Sequence, residues 1–169
     1  MKCTSAEAAK LLRKLNEELM EIKDRESKSS VFIAAVDEKL DDVRPEYNYR
    51  ETQDRLATLE AQVRKLKHAI NAFNLTTEVP GFGMTVDQLL VYIPQLSERK
   101  RRLATMAARL PKERVNAPGV ANKSFVEYRY ANYDIKQASA ELVAVKDELA
   151  RARTALDVVN TSVEFELEL

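Results

Sequence analysis

Apolar residues in this chain recur at alternating steps of three and four. With Thr52 counted as a polar member, one stripe is Tyr49, Leu56, Leu59, Val63, Leu66, Ile70 and Phe73. A second stripe, 86 positions further on, is Ile135, Ala138, Leu142, Val145, Leu149, Ala152, Leu156 and Val159. The mean step is about 3.5 residues, the period of a coiled-coil seam rather than of a broad globular helix face. The pattern predicts long, seam-packed helices, and its recurrence points to an internal duplication.

A chain of 169 residues suits one domain, and a domain of this size buries about 70% of its unfolded surface. Only three Gly and five Pro occur, with no Trp, and 32% of residues are charged, a composition that fits long helices. Lys plus Arg and Asp plus Glu number 27 each. With no net charge, nothing steers the chain as a whole to nucleic acid or to a membrane surface. Cys3 is the only cysteine, so no internal disulfide forms. The charged N-terminus has no signal-peptide apolar core, and no apolar run approaches the ~20 residues of a membrane span. A cytoplasmic protein without a membrane partner is expected.

Along the chain, Thr4 and Glu7 have capping-box spacing and open a first helix on the stripe Ala8, Leu12, Leu15, Leu19 and Ile22. It fades at Ser27–Ser30. Val31–Val36 is short, apolar and β-branched and reads as a strand. Asp37–Arg44 reads as loop or helical turn, and a second helix runs from about Pro45 to Asn74. Leu75–Val79 can extend as a strand before the turn Pro80-Gly81-Phe82-Gly83. Thr85 and Gln88 repeat the capping-box spacing and open a third helix, interrupted by Pro94 and stopped by Pro111. Lys112–Lys123, with Asn116-Ala117-Pro118-Gly119, reads as the longest loop. Ser124–Tyr133 alternates like a strand, a fourth helix spans about Asp134–Asn160, and Val163–Leu169 alternates strictly between apolar and acidic residues. Asn74 and Asn160 suit C-caps.

The expected fold is thus mainly α: a single domain over 1–169, an antiparallel four-helix bundle with coiled-coil seams and short β-ribbons at the helix ends. It is arranged as a helix–strand–helix–strand pseudo-repeat over about 1–80 and 81–169. In an up-down bundle the first strand meets the third at one end, and the second meets the fourth at the other. A seam of two residues in seven buries little, so a homo-oligomer is expected. Its contact residues are Val163, Phe165, Leu167 and Leu169, the apolar face of the tail, which can dock on its own bundle or on a neighbour.

Catalytic and metal chemistry find no foothold in the pattern. His68 is the only histidine and falls off the seam. There is no Gly-x-Ser-x-Gly elbow and no phosphate loop. No catalytic residue, cofactor or metal is expected. Arg99-Lys100-Arg101-Arg102 points around its helix, as a solvated face or ion-pair set does, so no nucleic-acid partner is inferred. Tyr47, Tyr49, Tyr128, Tyr130 and Tyr133 cluster near the openings of the second and fourth helices. They form a candidate pocket or interface, since tyrosine combines apolar area with a hydroxyl.

Two segments carry a family resemblance. Ile70-Asn71-x-x-Asn74 followed by Thr85-x-x-Gln88-Leu89 resembles the centre of a bacterial family known as septicolysin-like. Tyr133-Asp134-Ile135 with Asn160-Thr161-Ser162-x-Glu164-x-Glu166-Leu167 is similar to that family's closing segment. The resemblance implies a helical fold, and the family's label suggests pore formation. The chain departs from the family pattern at Ala72 and Phe73 and before Ser124. The function expected from the residues is a non-enzymatic, self-associating scaffold or interaction protein. The alternatives are a small-molecule or peptide binding module using the Tyr-rich end and, through the family label, a membrane-active protein.

Overall fold

The 3,4 stripes become the long helices in a computed structural model that describes residues 1–115 and 126–168. In chain order the elements are β1 (Lys2–Thr4), α1 (Ser5–Ser29), α2 (Leu40–Val43), α3 (Tyr49–Thr76), β2 (Glu78–Val79) and β3 (Met84–Thr85). They continue with α4 (Val86–Ala107), β4 (Lys112–Arg114), β5 (Tyr128–Tyr130), α5 (Ile135–Ser162) and β6 (Glu164–Glu166). The chain is mainly helical, with short antiparallel strand pairs. Two compact units are resolved, Met1–Thr77 with Val158–Leu169, and Glu78–Asp157.

In the first unit α1 and α3 form an antiparallel hairpin. Glu26, near the end of α1, bonds Tyr47 and Gln53 at the start of α3. The far end of α3 carries Phe73, whose ring meets Phe165 of β6, and β6 pairs with β1, where α1 begins. Ala8, Leu15 and Leu19 are buried with Leu56, Leu59, Val63 and Leu66, and Cys3 and Leu167 close the same core. The register is Lys2–Glu166, Cys3–Phe165 and Thr4–Glu164. The Met1 amine donates to the Leu167 carbonyl at 2.7 Å, and the Leu167 N–H donates back to the Met1 carbonyl at 2.7 Å.

In the second unit α4 and α5 are also antiparallel: Tyr92 bonds Glu148, Arg99 pairs with Glu141, and Tyr133 bonds the Met106 carbonyl. Val86, Leu89, Leu96 and Leu103 are buried along α4, and Ala138, Val145, Leu149 and Ala152 along α5. The β2–β3 hairpin turns through Gly81 and Gly83 at φ 82° and 60°, the left-handed region that glycine enters without Cβ strain. Pro94 lies inside α4 on its exposed side. The lost N–H there removes one ladder bond without stopping the helix.

Several expectations are corrected. Val31–Val36 is not a strand; no ladder partner reaches it, and it stays an exposed, irregular connection. The second long helix starts at Tyr49 rather than Pro45, because Asn48 caps it by accepting the Glu51 N–H at 3.3 Å. Neither Asn74 nor Asn160 is a C-cap: α3 runs on to Thr76 and α5 to Ser162. The stretch read as loop from Lys112 opens with β4, which pairs with β5. The expected strand pairings give way to one ribbon closing the chain ends and two local hairpins. The turn Asn116-Ala117-Pro118-Gly119, the strand residues Ser124 and Phe125, and Leu169 lie outside the described residues.

Candidate functional site

Two places gather polar and aromatic groups, one in each unit. In the first, the end of α1 and the start of α3 bound a groove of about 760 Å³ lined by Glu18, Glu26, Tyr47, Glu51 and Arg55 among others. Proline and asparagine position its aromatic member: Pro45 holds the chain extended, and Asn48 begins the helix directly after Tyr47. Tyr47 Oη donates to Glu26 Oε1 at 2.8 Å, and Gln53 Nε2 donates to the same oxygen at 2.6 Å. The carboxylate's bond holds the tyrosine proton and pushes its pKa up, with desolvation adding to it. Arg55 and Glu18 form an ion pair across the groove, and Lys23 reaches Glu60 at 3.3 Å.

In the second unit the β4–β5 ribbon has two unlike faces. Its register sets Lys112 opposite Tyr130 and Arg114 opposite Tyr128 on one face, with Glu113 opposite Arg129 on the other. Lys112 Nζ lies 4.0 Å from the Tyr128 ring centroid and 5.6 Å from that of Tyr130, a cation over aromatic faces. The two rings are 6.5 Å apart. All six ribbon residues are exposed.

The predicted tyrosine cluster therefore divides by unit. Tyr47 is half-buried in its groove, and Tyr49 is exposed on the first turn of α3. Tyr128 and Tyr130 share the ribbon face, while Tyr133 is anchored separately, donating to the Met106 carbonyl at 2.9 Å. The tail is occupied by its own chain: Leu167 is buried and Phe165 packs against the first unit's core, with Val163 exposed. Arg99 and Arg101 of the basic run make ion pairs, to Glu141 and Glu98. His68 is exposed. Among the described residues no three or more His, Cys, Asp or Glu side chains are grouped to hold a metal ion. No described helix is long and apolar enough to cross a membrane.

Sequence reasoning missed Glu26, Gln53 and Lys112. Glu26 is 21 residues from Tyr47, and no local pattern links them. Lys112-x-Arg114 against Tyr128-x-Tyr130 carried a usable signal, since alternation places like-numbered residues on one face.

No family model matches the chain, and no curated protein does. In fold the chain is similar to a functionally unknown conserved protein from Corynebacterium diphtheriae, whose crystal structure superposes with a TM-score of 0.60 at 17% identity. The match covers 98% of this chain and 100% of that one, so it extends to the whole helical architecture.

Proposed function

We propose that this chain is a non-enzymatic, self-associating scaffold or interaction protein. One observation carries the reading: large apolar side chains stand in solvent between the long helices. Ile33 is 95% exposed and Val36 fully so, with Val31, Leu40, Leu110 and Val126 also exposed. Single exposed apolar residues are ordinary, but runs of them mark contact surfaces. Light scattering across a concentration series tests it: a mass above 19.2 kDa supports self-association, and a concentration-independent monomer sinks it.

The same reading holds that the chain is an internal duplication, with halves over about 1–80 and 81–169. Thr4 and Thr85 open the halves with equivalent capping boxes. Four seam-packed helices, cytoplasmic placement and membership of the septicolysin-like family belong to this proposal.

A binding module is the second reading, favoured by the groove beside Tyr47 and Glu26. Native mass spectrometry of protein taken directly from cells tests it, and a retained small molecule lost in Tyr47→Ala favours it. The membrane-active reading predicts dye release from liposomes, and we expect none.

A further inference from the structure

Val31–Val36 has the composition of a strand and the exposure pattern of one. Along it, exposed Val31, Ile33 and Ala35 alternate with half-buried Phe32 and Ala34. The backbone of Val31–Ala34 is nevertheless without a ladder. Its neighbours make only local bonds, Ser30 N–H to the Glu26 carbonyl and Ala35 N–H to Glu38. A β-branched segment that leaves its peptide groups to water is an open half of a strand pair.

The β4–β5 ribbon is the complementary half. Val115 N–H donates to the Glu127 carbonyl, and Ala131 N–H to the Pro111 carbonyl. Antiparallel pairs alternate between bonded and non-bonded, so the peptide groups of Tyr128 and Tyr130 point away from β4. No third strand covers that edge among the described residues. Val126, Tyr128 and Tyr130 are exposed along it.

Charge matches the two. The segment is followed by Asp37, Glu38, Asp41 and Asp42, offset by Lys39 and Arg44. The ribbon and the end of α4 carry Arg109, Lys112, Arg114 and Arg129, offset by Glu113 and Glu127. An apolar strand with an acidic flank meets an apolar edge with a basic flank, and like segments repel their own kind.

We infer that Val31–Val36 of one copy adds as a third strand to the β5 edge of a second copy of this chain. The inference rests on the self-association proposed above and names its contact. Because segment and edge are different surfaces, the contact closes when two copies exchange segments or a ring completes, and propagates otherwise. Backbone bonds supply affinity, and the alternate side chains Val31 and Ile33 set the register.

Two variants test it in the full-length protein. Ile33→Asp places a charge in the apolar strand. Tyr128→Pro removes an outward N–H while leaving the β4–β5 bonds in place. Each should weaken association by about tenfold or more in sedimentation, with the helical circular dichroism unchanged. Cross-linking supplies a readout independent of affinity. In a Cys3→Ala background, Ile33→Cys protein mixed with Tyr130→Cys protein should give a disulfide-linked product of twice the chain mass. If the wild type assembles but neither variant weakens it and no mixed product forms, the strand contact is overturned while self-association stands. A monomeric wild type overturns both.

Discussion

The rings of Phe73 and Phe165 lie 4.9 Å apart, tilted by 33°, so the end of α3 is fastened to the strand that closes the chain. Phe165 stands opposite Cys3 in the β1–β6 register, and Leu167 is buried two residues on. The alternating tail is thereby part of the first unit's core. Phe165→Ala should cost about 2–4 kcal/mol, read from the midpoint of urea unfolding. Truncation after Ser162 should cost more, since it also removes Leu167 and the partner strand of β1. An unchanged midpoint would show that the tail contributes nothing to the core.

Thr4 and Thr85 each accept an N–H bond from the third helix residue, and Glu7 and Gln88 bond back to the capping backbone. Thr85→Ala should cost about 1 kcal/mol. The two boxes differ in charge. The Thr4 backbone N–H, and then its hydroxyl, hold the Glu7 carboxyl below its ordinary range. A depressed carboxylate stabilises the fold above its unfolded pKa of about 4.3. That contribution is lost as pH falls through the lower folded value. Glu7→Gln should therefore flatten the acid side of the stability profile, whereas Gln88→Ala should shift the profile without changing its shape.

What could be read from the chain follows how local the determinants are. The capping boxes and the seam lie within one or two helical turns, so Thr4, Thr85 and the buried Leu59, Leu66 and Val145 were all legible. Strand pairing is set by distant chain. Lys2–Thr4 is too short to show a pattern, and its partner lies at the opposite terminus. Val31–Val36 had the right residues for a strand and lacks a partner, because β propensity expresses packing on a sheet rather than a property of the segment alone. The tyrosines were legible as residues but not as an arrangement, since Glu26 and Lys112 meet them only through hairpins.

Leu59 and Leu89 are fully buried, one in each unit. Each lies on the buried face of its helix. Leu59→Ala and Leu89→Ala should each cost about 3–5 kcal/mol. Exposed pairs behave differently: Arg13→Ala, which breaks only the solvent-exposed contact to Glu17, should cost less than about 0.5 kcal/mol. Chemical denaturation of the three variants side by side checks the contrast. Comparable losses at all three would mean that surface charge, not core burial, holds the helices.

Tyr47 and Tyr92 occupy corresponding roles in their units, each donating to a glutamate across a helical hairpin, at 2.8 Å to Glu26 and 2.6 Å to Glu148. In both, the hydrogen bond to the carboxylate is the largest cause of a raised pKa, followed by desolvation. A tyrosine whose folded pKa is raised adds stability that is complete below its unfolded pKa of about 10. That contribution disappears as pH climbs through the folded value, because the phenolate can no longer donate and is repelled by the glutamate. Alkaline titration followed by tyrosine absorbance should show Tyr47 and Tyr92 ionising above the ordinary tyrosine range. Glu26→Gln removes the charge facing Tyr47 and should bring Tyr47 back toward the ordinary tyrosine range; Glu148→Gln should do the same for Tyr92. If both substitutions leave the titration unchanged, the carboxylates are not what holds these protons.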